Sequence, residues 1–247
     1  MSLKIGLNLT KYYSINFDYP KRNKKLIKFI IIHYTGMKKE SEAIKRLCDT
    51  KSKVSCHYFI KNSGEVLNLV PDLYKAWHAG VSSWKSFTSL NKHSIGIEIN
   101  NAGHNNGYKK FSSKQIFSLN RLLKYLIKKY NIKKQNVLGH SDISPNRKKD
   151  PGEKFPWQQL AKKNLCFWHK LNEKKIVTFR KKKLKLYEEK ILFENLYKIG
   201  YSRIYKSHYK NKKINLIKAF QRRFRQSLIN GKTDQECLLI SKNLLKP

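Results

Sequence analysis

Long apolar runs are missing from this chain of 247 residues, and no stretch approaches the length needed to cross a bilayer. The N-terminal MSLKIGLNLTKYYSINFDYPKRNKK also lacks the long apolar core of a signal peptide, so a cytoplasmic protein without a transmembrane segment is expected. Cysteine is sparse too. Cys48, Cys56, Cys166 and Cys237 form neither a C-x-x-C pair nor a small-domain framework, and they read as reduced, mostly buried thiols. The third shortage is of acid: 16 Asp and Glu stand against 54 Lys and Arg, a formal net charge of +38. Such an excess attracts polyanions, but its distribution matters more than its size. Residues 1–160 carry 30 basic against 10 acidic residues, and residues 161–247 carry 24 against 6. A nucleic-acid arm would be a local block, whereas this excess is general, as in a chain biased towards Lys, Ile and Asn. No base-stacking or groove-inserting motif accompanies it, and no nucleic-acid partner is expected.

What the chain does contain is core-forming material. A hydrophobic fraction of 40% with 12% aromatics argues for a folded protein, and the length allows one sizeable core, or a main domain plus a small one. LIKFIIIHYTG (26–36) is a β-branched run of the kind found in strands buried on both faces, and it delivers His33 to its end. SEAIKRLCD suggests a short helix. SCHYFIKNSGEVLNLV (55–70) has two apolar runs joined by Asn62, Ser63 and Gly64, the pattern of a hairpin. SIGIEIN (94–100) is a further apolar strand with Glu98 inside it.

The clearest helix opens at Ser112, where Gln115 completes a capping box and Phe111 with Ile116 can form a hydrophobic staple. Its apolar positions run at helical spacing from Ile116 through Leu119, Leu123 and Leu126 to Tyr130. NVLGH is a short strand ending at His140, and FPWQQLAKKNL begins another helix with Pro156 near its start. Alternating strands and helices predict an α/β fold, a mixed central β-sheet flanked by helices. The Lys-rich stretch 166–186 reads as a connector. Beyond it, KILFENLYKIGY, NLIKAFQRRFRQSL and TDQECLLISKNLL predict a small three-helix domain over 187–247, the last helix with Thr233 and Glu236 at capping-box spacing.

Three polar groups sit where apolar ones would cost less. His33 and His140 end buried strands, and Glu98 interrupts another; an ionised carboxylate there costs several kcal/mol unless it is compensated. A metal site would compensate. Two imidazoles and a carboxylate, here His33, His140 and Asp150, leave Zn²⁺ a fourth position for water, and Glu98 becomes a candidate general base. Spacing alone leaves open the plainer alternative, hydrogen-bonded core histidines and an aspartate that forms a turn before Pro151.

The stretches IIIHYTGM, KVSCHYFIKNSGEVLNLV, AWHAGVSSW, SIGIEI and LGHSDISPNRKKDPGEKFPW, in that order, resemble the zinc-dependent N-acetylmuramoyl-L-alanine amidases of the AmpD/AmiD type. The resemblance covers roughly residues 25–165. It implies one Zn²⁺ held by His33, His140 and Asp150, with Glu98 as the catalytic carboxylate and Lys148 beside the reacting carbonyl. No departure occurs at these positions, although the donor set by itself excludes neither Co²⁺ nor Mn²⁺. The implied reaction is metal-assisted hydrolysis of the amide between muramic acid, in its ordinary or 1,6-anhydro form, and the L-Ala of the stem peptide. Peptidoglycan or a muropeptide would be the substrate.

Trp77, His78 and His57 are weaker candidates for substrate contact, with strand or turn support as the alternative, and Trp84 is a candidate for ring stacking or for core packing. Lys149 reads as a solvated charge. The tail, LYKIGY through GKTDQECLLISKNLL, resembles the three-helix peptidoglycan-binding domain often attached to such enzymes, with a generic helical hairpin packed on the catalytic domain as the alternative; a wall-binding tail would favour the periplasm or envelope over the cytoplasm. Residues 1–165 are thus expected to form the catalytic domain. Relatives of this fold that bind peptidoglycan without cutting it supply the alternative function, and they typically lose a metal ligand.

Overall fold

The computed structural model describes residues 12–204 and 209–246, so the first eleven residues of the N-terminal stretch that suggested the compartment lie outside the described part. Five strands form the central sheet: β1 (Phe29–Tyr34), β2 (Tyr58–Ile60), β3 (Val66–Asn68), β4 (Ser94–Ile99) and β5 (Val137–Gly139). Their order is β3-β2-β4-β1-β5. The pairs β2–β4, β4–β1 and β1–β5 are parallel, and only the hairpin β2–β3 is antiparallel. The sheet is mixed and flanked by helices, as the alternating sequence pattern predicts.

Strand periodicity divides the side chains of the central pair between two faces. Ile30 and Ile32 of β1, with Ile95, Ile97 and Ile99 of β4, pack in one apolar cluster with Leu119, Leu122, Leu123 and Leu126. Those leucines belong to α2 (Ser113–Tyr130), which carries the expected capping box between Ser112 and Gln115. The opposite face carries Phe29, Ile31 and His33 from β1, and Ser94, Gly96 and Glu98 from β4. A separate cluster packs α1 (Glu40–Cys48) on Cys56, Phe59 and Leu67. The four cysteines are free, and all but Cys48 are buried.

Helices α3 (His140–Ile143) and α4 (Trp157–Lys162) follow β5, and α5 (Glu173–Ile176) lies within the Lys-rich stretch. The chain then forms α6 (Leu186–Ile199), α7 (Tyr209–Phe224) and α8 (Gln235–Leu244). Leu192, Leu216, Phe220 and Leu238 of these helices share one cluster with Phe29, Ile31, Leu138 and Ile143, so the C-terminal helices cover part of the second sheet face. Trp84 lies in this cluster, edge-on to Tyr201 with ring centroids 4.9 Å apart.

The N-terminus of α8 departs from the expected cap. Asp234, not Thr233, is the capping residue and accepts from the Cys237 N–H at 2.9 Å. Glu236 is held instead by Arg180, with contacts of 2.7 and 2.9 Å, and therefore does not fold back on the helix end. No helix among the described residues is long and apolar enough to cross a membrane.

Candidate active site

Parallel strands present their carboxyl ends on one edge, where loops rather than the sheet decide what is built. His33 lies at that end of β1, Glu98 at that end of β4, and His140 follows directly on β5. The Asp142 carboxylate accepts from the Gly139 N–H at 2.8 Å and fixes the turn out of β5. From there the chain makes a loop that closes on itself, because the Ser141 N–H donates to the Asp150 carbonyl at 2.9 Å. Arg147 ties the loop to its neighbour by donating to the carbonyls of Ala79 and Val81 at 3.0 and 2.8 Å.

This closure brings three side chains together. His33 Nδ1, His140 Nδ1 and Asp150 Oδ2 form a triangle with edges of 2.9, 3.0 and 3.1 Å. All three residues are buried, and among the described residues they are the one group of His, Cys, Asp and Glu arranged to hold a metal ion. Burial pushes the Asp150 carboxyl up, but the adjacent His140 and His33 outweigh it and hold the group well below the usual carboxylate range. Asp150 is therefore ionised and can only accept. His140 Nε2 lies 3.0 Å from the Ala79 carbonyl, which also only accepts, so Nε2 carries a proton and Nδ1 is the nitrogen that can be given to a metal ion. Two imidazole nitrogens and a carboxylate oxygen thus converge, a donor set that suits Zn²⁺. The donor chemistry therefore fits a metal ion.

Glu98 opens partly onto the cleft beside this triangle, with Oε2 enclosed and without a hydrogen-bond partner. Burial, reinforced by the charge of Asp150, pushes its carboxyl up to about 8, and Lys148 partly opposes the rise. Glu98, Lys148, Trp77 and His78 line one cleft of about 470 Å³ together with His140 and Asp150. Lys149 lines its exposed rim.

The weaker sequence candidates separate. Trp77 faces the cleft and is held by its indole N–H, which donates to Asp18 at 2.6 Å. His78 reaches behind His33, with its Nδ1 3.0 Å from His33 Nε2. His57 is not among the residues lining the cleft: it is fully buried, accepts from the Gly96 N–H and contacts the Tyr74 carbonyl, both at 3.0 Å. Sequence reasoning missed a chain that starts at the cleft wall with Tyr34 and His104 and leads away to Glu153: Tyr34 Oη lies 2.7 Å from His104 Nδ1, and His104 Nε2 lies 3.0 Å from Glu153. No spacing rule links positions 34, 104 and 153, so only the fold brings them together.

Comparison with known proteins agrees with this arrangement. The family model described as N-acetylmuramoyl-L-alanine amidase matches residues 22–153, which include every side chain of the triangle and Glu98. The chain belongs to that amidase family. Among curated amidases, AmiD of Escherichia coli (strain K12) is 35% identical over an alignment of 255 positions that covers 98% of this chain and 89% of AmiD. The 1,6-anhydro-N-acetylmuramyl-L-alanine amidase AmpD of Haemophilus influenzae is 38% identical over 108 residues, 43% of this chain and 56% of AmpD. The structure of E. coli AmiD in complex with the substrate anhydro-N-acetylmuramic acid-L-Ala-D-γ-Glu-L-Lys superposes with a TM-score of 0.79 at 34% identity, covering 92% of this chain and 90% of AmiD. AmpDh3 of Pseudomonas aeruginosa, in complex with an anhydromuramic pentapeptide, gives 0.76 at 28% identity, covering 96% and 97%. The likeness to AmiD and AmpDh3 thus extends through the C-terminal helices, whereas the match to AmpD spans fewer than half of this amidase-family chain's residues.

Proposed function

We propose that the chain is a zinc-dependent N-acetylmuramoyl-L-alanine amidase that hydrolyses the bond between the lactyl carbonyl of muramic acid and the L-Ala nitrogen of the stem peptide. The observation that carries this reading is the convergence of His33 Nδ1, His140 Nδ1 and Asp150 Oδ2 beside a cleft that His140, Asp150 and Glu98 line. The three donor atoms lie close enough together for one Zn²⁺ to be held by all of them. When bound, zinc would polarise the scissile carbonyl and acidify a water molecule. The muropeptides in the complexes of AmiD and AmpDh3 support substrates of the same class here, in soluble or polymeric form.

In this reading Glu98 is the general base. It removes a proton from the attacking water and returns it to the departing amine, so the bond to nitrogen breaks with the proton balance closed. Its enclosed, unpartnered oxygen and its raised proton affinity suit both proton transfers. Lys148 places a positive charge where the carbonyl oxygen becomes negative. Trp77 offers an aromatic wall to sugar or peptide. Residues 1–165 carry this chemistry, and residues 187–247 form a helical unit joined to them through 166–186. The alternative of a protein that binds without cutting gains no support from a chain that keeps the full donor set and Glu98.

The test is mass spectrometry of products after incubating the protein with intact peptidoglycan and, separately, with soluble anhydro-muropeptides, each with and without a chelator. Release of stem peptide beginning with L-Ala, abolished by the chelator, is the expected result. A protein that holds zinc and releases nothing from either substrate would be a binding protein instead.

A further inference from the structure

The triangle works as a ligand set only if His33, like His140, presents a bare Nδ1. For His140 the Ala79 carbonyl favours this by holding a proton on Nε2. For His33 the contact partner of Nε2 is another imidazole, which can either accept or donate. The direction is fixed two steps further back. Ser94 Oγ lies 2.6 Å from the Leu90 carbonyl, a separation that requires the hydroxyl proton between them. Having spent its single proton, Ser94 can only accept from His78 Nε2, which lies 3.2 Å away. His78 then holds its proton on Nε2, its Nδ1 is bare, and it must accept from His33 Nε2–H. The proton of His33 therefore lies on the side away from Asp150.

The fold is built around this relay. Asn91 Oδ1 accepts from the His78 and Ala79 backbone N–H groups at 3.1 and 2.7 Å and so holds the two consecutive residues that define the tautomers of both histidines. The His78 ring lies against β4 at Gly96, where any Cβ would fall inside the imidazole.

We propose that His78, oriented by Ser94 and Asn91, is a positioning residue that sets the His33 tautomer and thereby the metal affinity of the site. It acts through His33 and not by touching substrate. The inference rests on the reading of His33 as a metal ligand. It also gives the motif AWHAG one role, since the histidine side chain serves one ligand and the carbonyl of the next residue serves the other.

The experiment combines zinc affinity, measured by competition with a chromophoric chelator, with ¹⁵N NMR of the imidazole nitrogens in the metal-free protein. His33 in the wild type should appear protonated on Nε2. His78→Leu, which removes the acceptor, should weaken zinc binding roughly 10- to 100-fold and give His33 a mixture of tautomers. His78→Asn, whose amide oxygen can replace Nδ1 as acceptor, should retain most of the affinity. Ser94→Ala leaves His78 in place but frees its tautomer, and should produce a smaller loss with the same spectral mixture. It also serves as the test should the leucine variant not fold. A wild-type spectrum with the His33 proton on Nδ1, or equal loss in the leucine and asparagine variants, overturns the proposal. If His140→Ala binds zinc as tightly as the wild type, the metal reading itself fails, and that outcome is separate from any result at His78.

Discussion

His33 and Glu98 are directly paired across the parallel strands β1 and β4. Their side chains point to the same face of the sheet, so the spacing between a metal-binding imidazole and a carboxylate is set by backbone register instead of by a loop. A general base held this rigidly has one expected signature. Glu98→Gln should lower kcat by about 10²- to 10⁴-fold while zinc stoichiometry, read by atomic absorption, stays at the wild-type level. Wild-type turnover in this variant would remove Glu98 from the mechanism.

The pH profile should report the same group. A base works only when deprotonated, and burial with the nearby Asp150 charge pushes Glu98 up to about 8. Below the pH at which this carboxyl takes up its proton, kcat/KM should fall about tenfold per unit. A cation at the triangle favours the carboxylate and moves this limb to lower pH. Lys148 acts in the same direction, so Lys148→Met should move the limb upward as well as reduce the rate. A profile flat from pH 5 to 9 would contradict the assignment.

Removing a ligand should separate binding from chemistry in the other direction. His140→Ala and Asp150→Ala should each lose zinc during dialysis against a weak chelator and lose activity with it. Retention of zinc at full stoichiometry by either variant would mean that its side chain is not in the donor set.

Phe220 of α7 is fully buried in the cluster that includes Phe29 and Ile31. Truncation to Ala should cost about 3–5 kcal/mol, read as a lower urea midpoint. A change below about 1 kcal/mol would show that the C-terminal helices contribute little to the cohesion of the sheet.

The parts of the molecule that repeat with a period were legible in the sequence. The run ending at His33, the alternation through Glu98, and the Ser112 cap each specify a local structure that the fold did not override. The convergence of His33, His140 and Asp150 was legible through resemblance, because spacing alone cannot distinguish a ligand from a core histidine. What stayed hidden was long-range. The bond from Ser141 to Asp150 that closes the loop, the relay through Ser94 and His78, and the contacts of Tyr34, His104 and Glu153 join residues far apart in the chain or across irregular backbone. The cap of α8 moved by one residue because Glu236, the expected partner of Thr233, is drawn into an ion pair with Arg180 from a different part of the chain.

Arg223 of α7 stacks on Trp157 with its guanidinium 3.3 Å from the ring and donates to the Val137 carbonyl of β5 at 3.1 Å. A helix near the end of the chain thus grips the strand that leads into His140. Ribosomal synthesis delivers β1 and His33 long before Arg223, so the nascent sheet would expose Phe29, Ile31, Leu138 and Ile143 until the tail arrives. Trimming the gene after the last catalytic codon would make that passing state permanent and leave a product prone to clump.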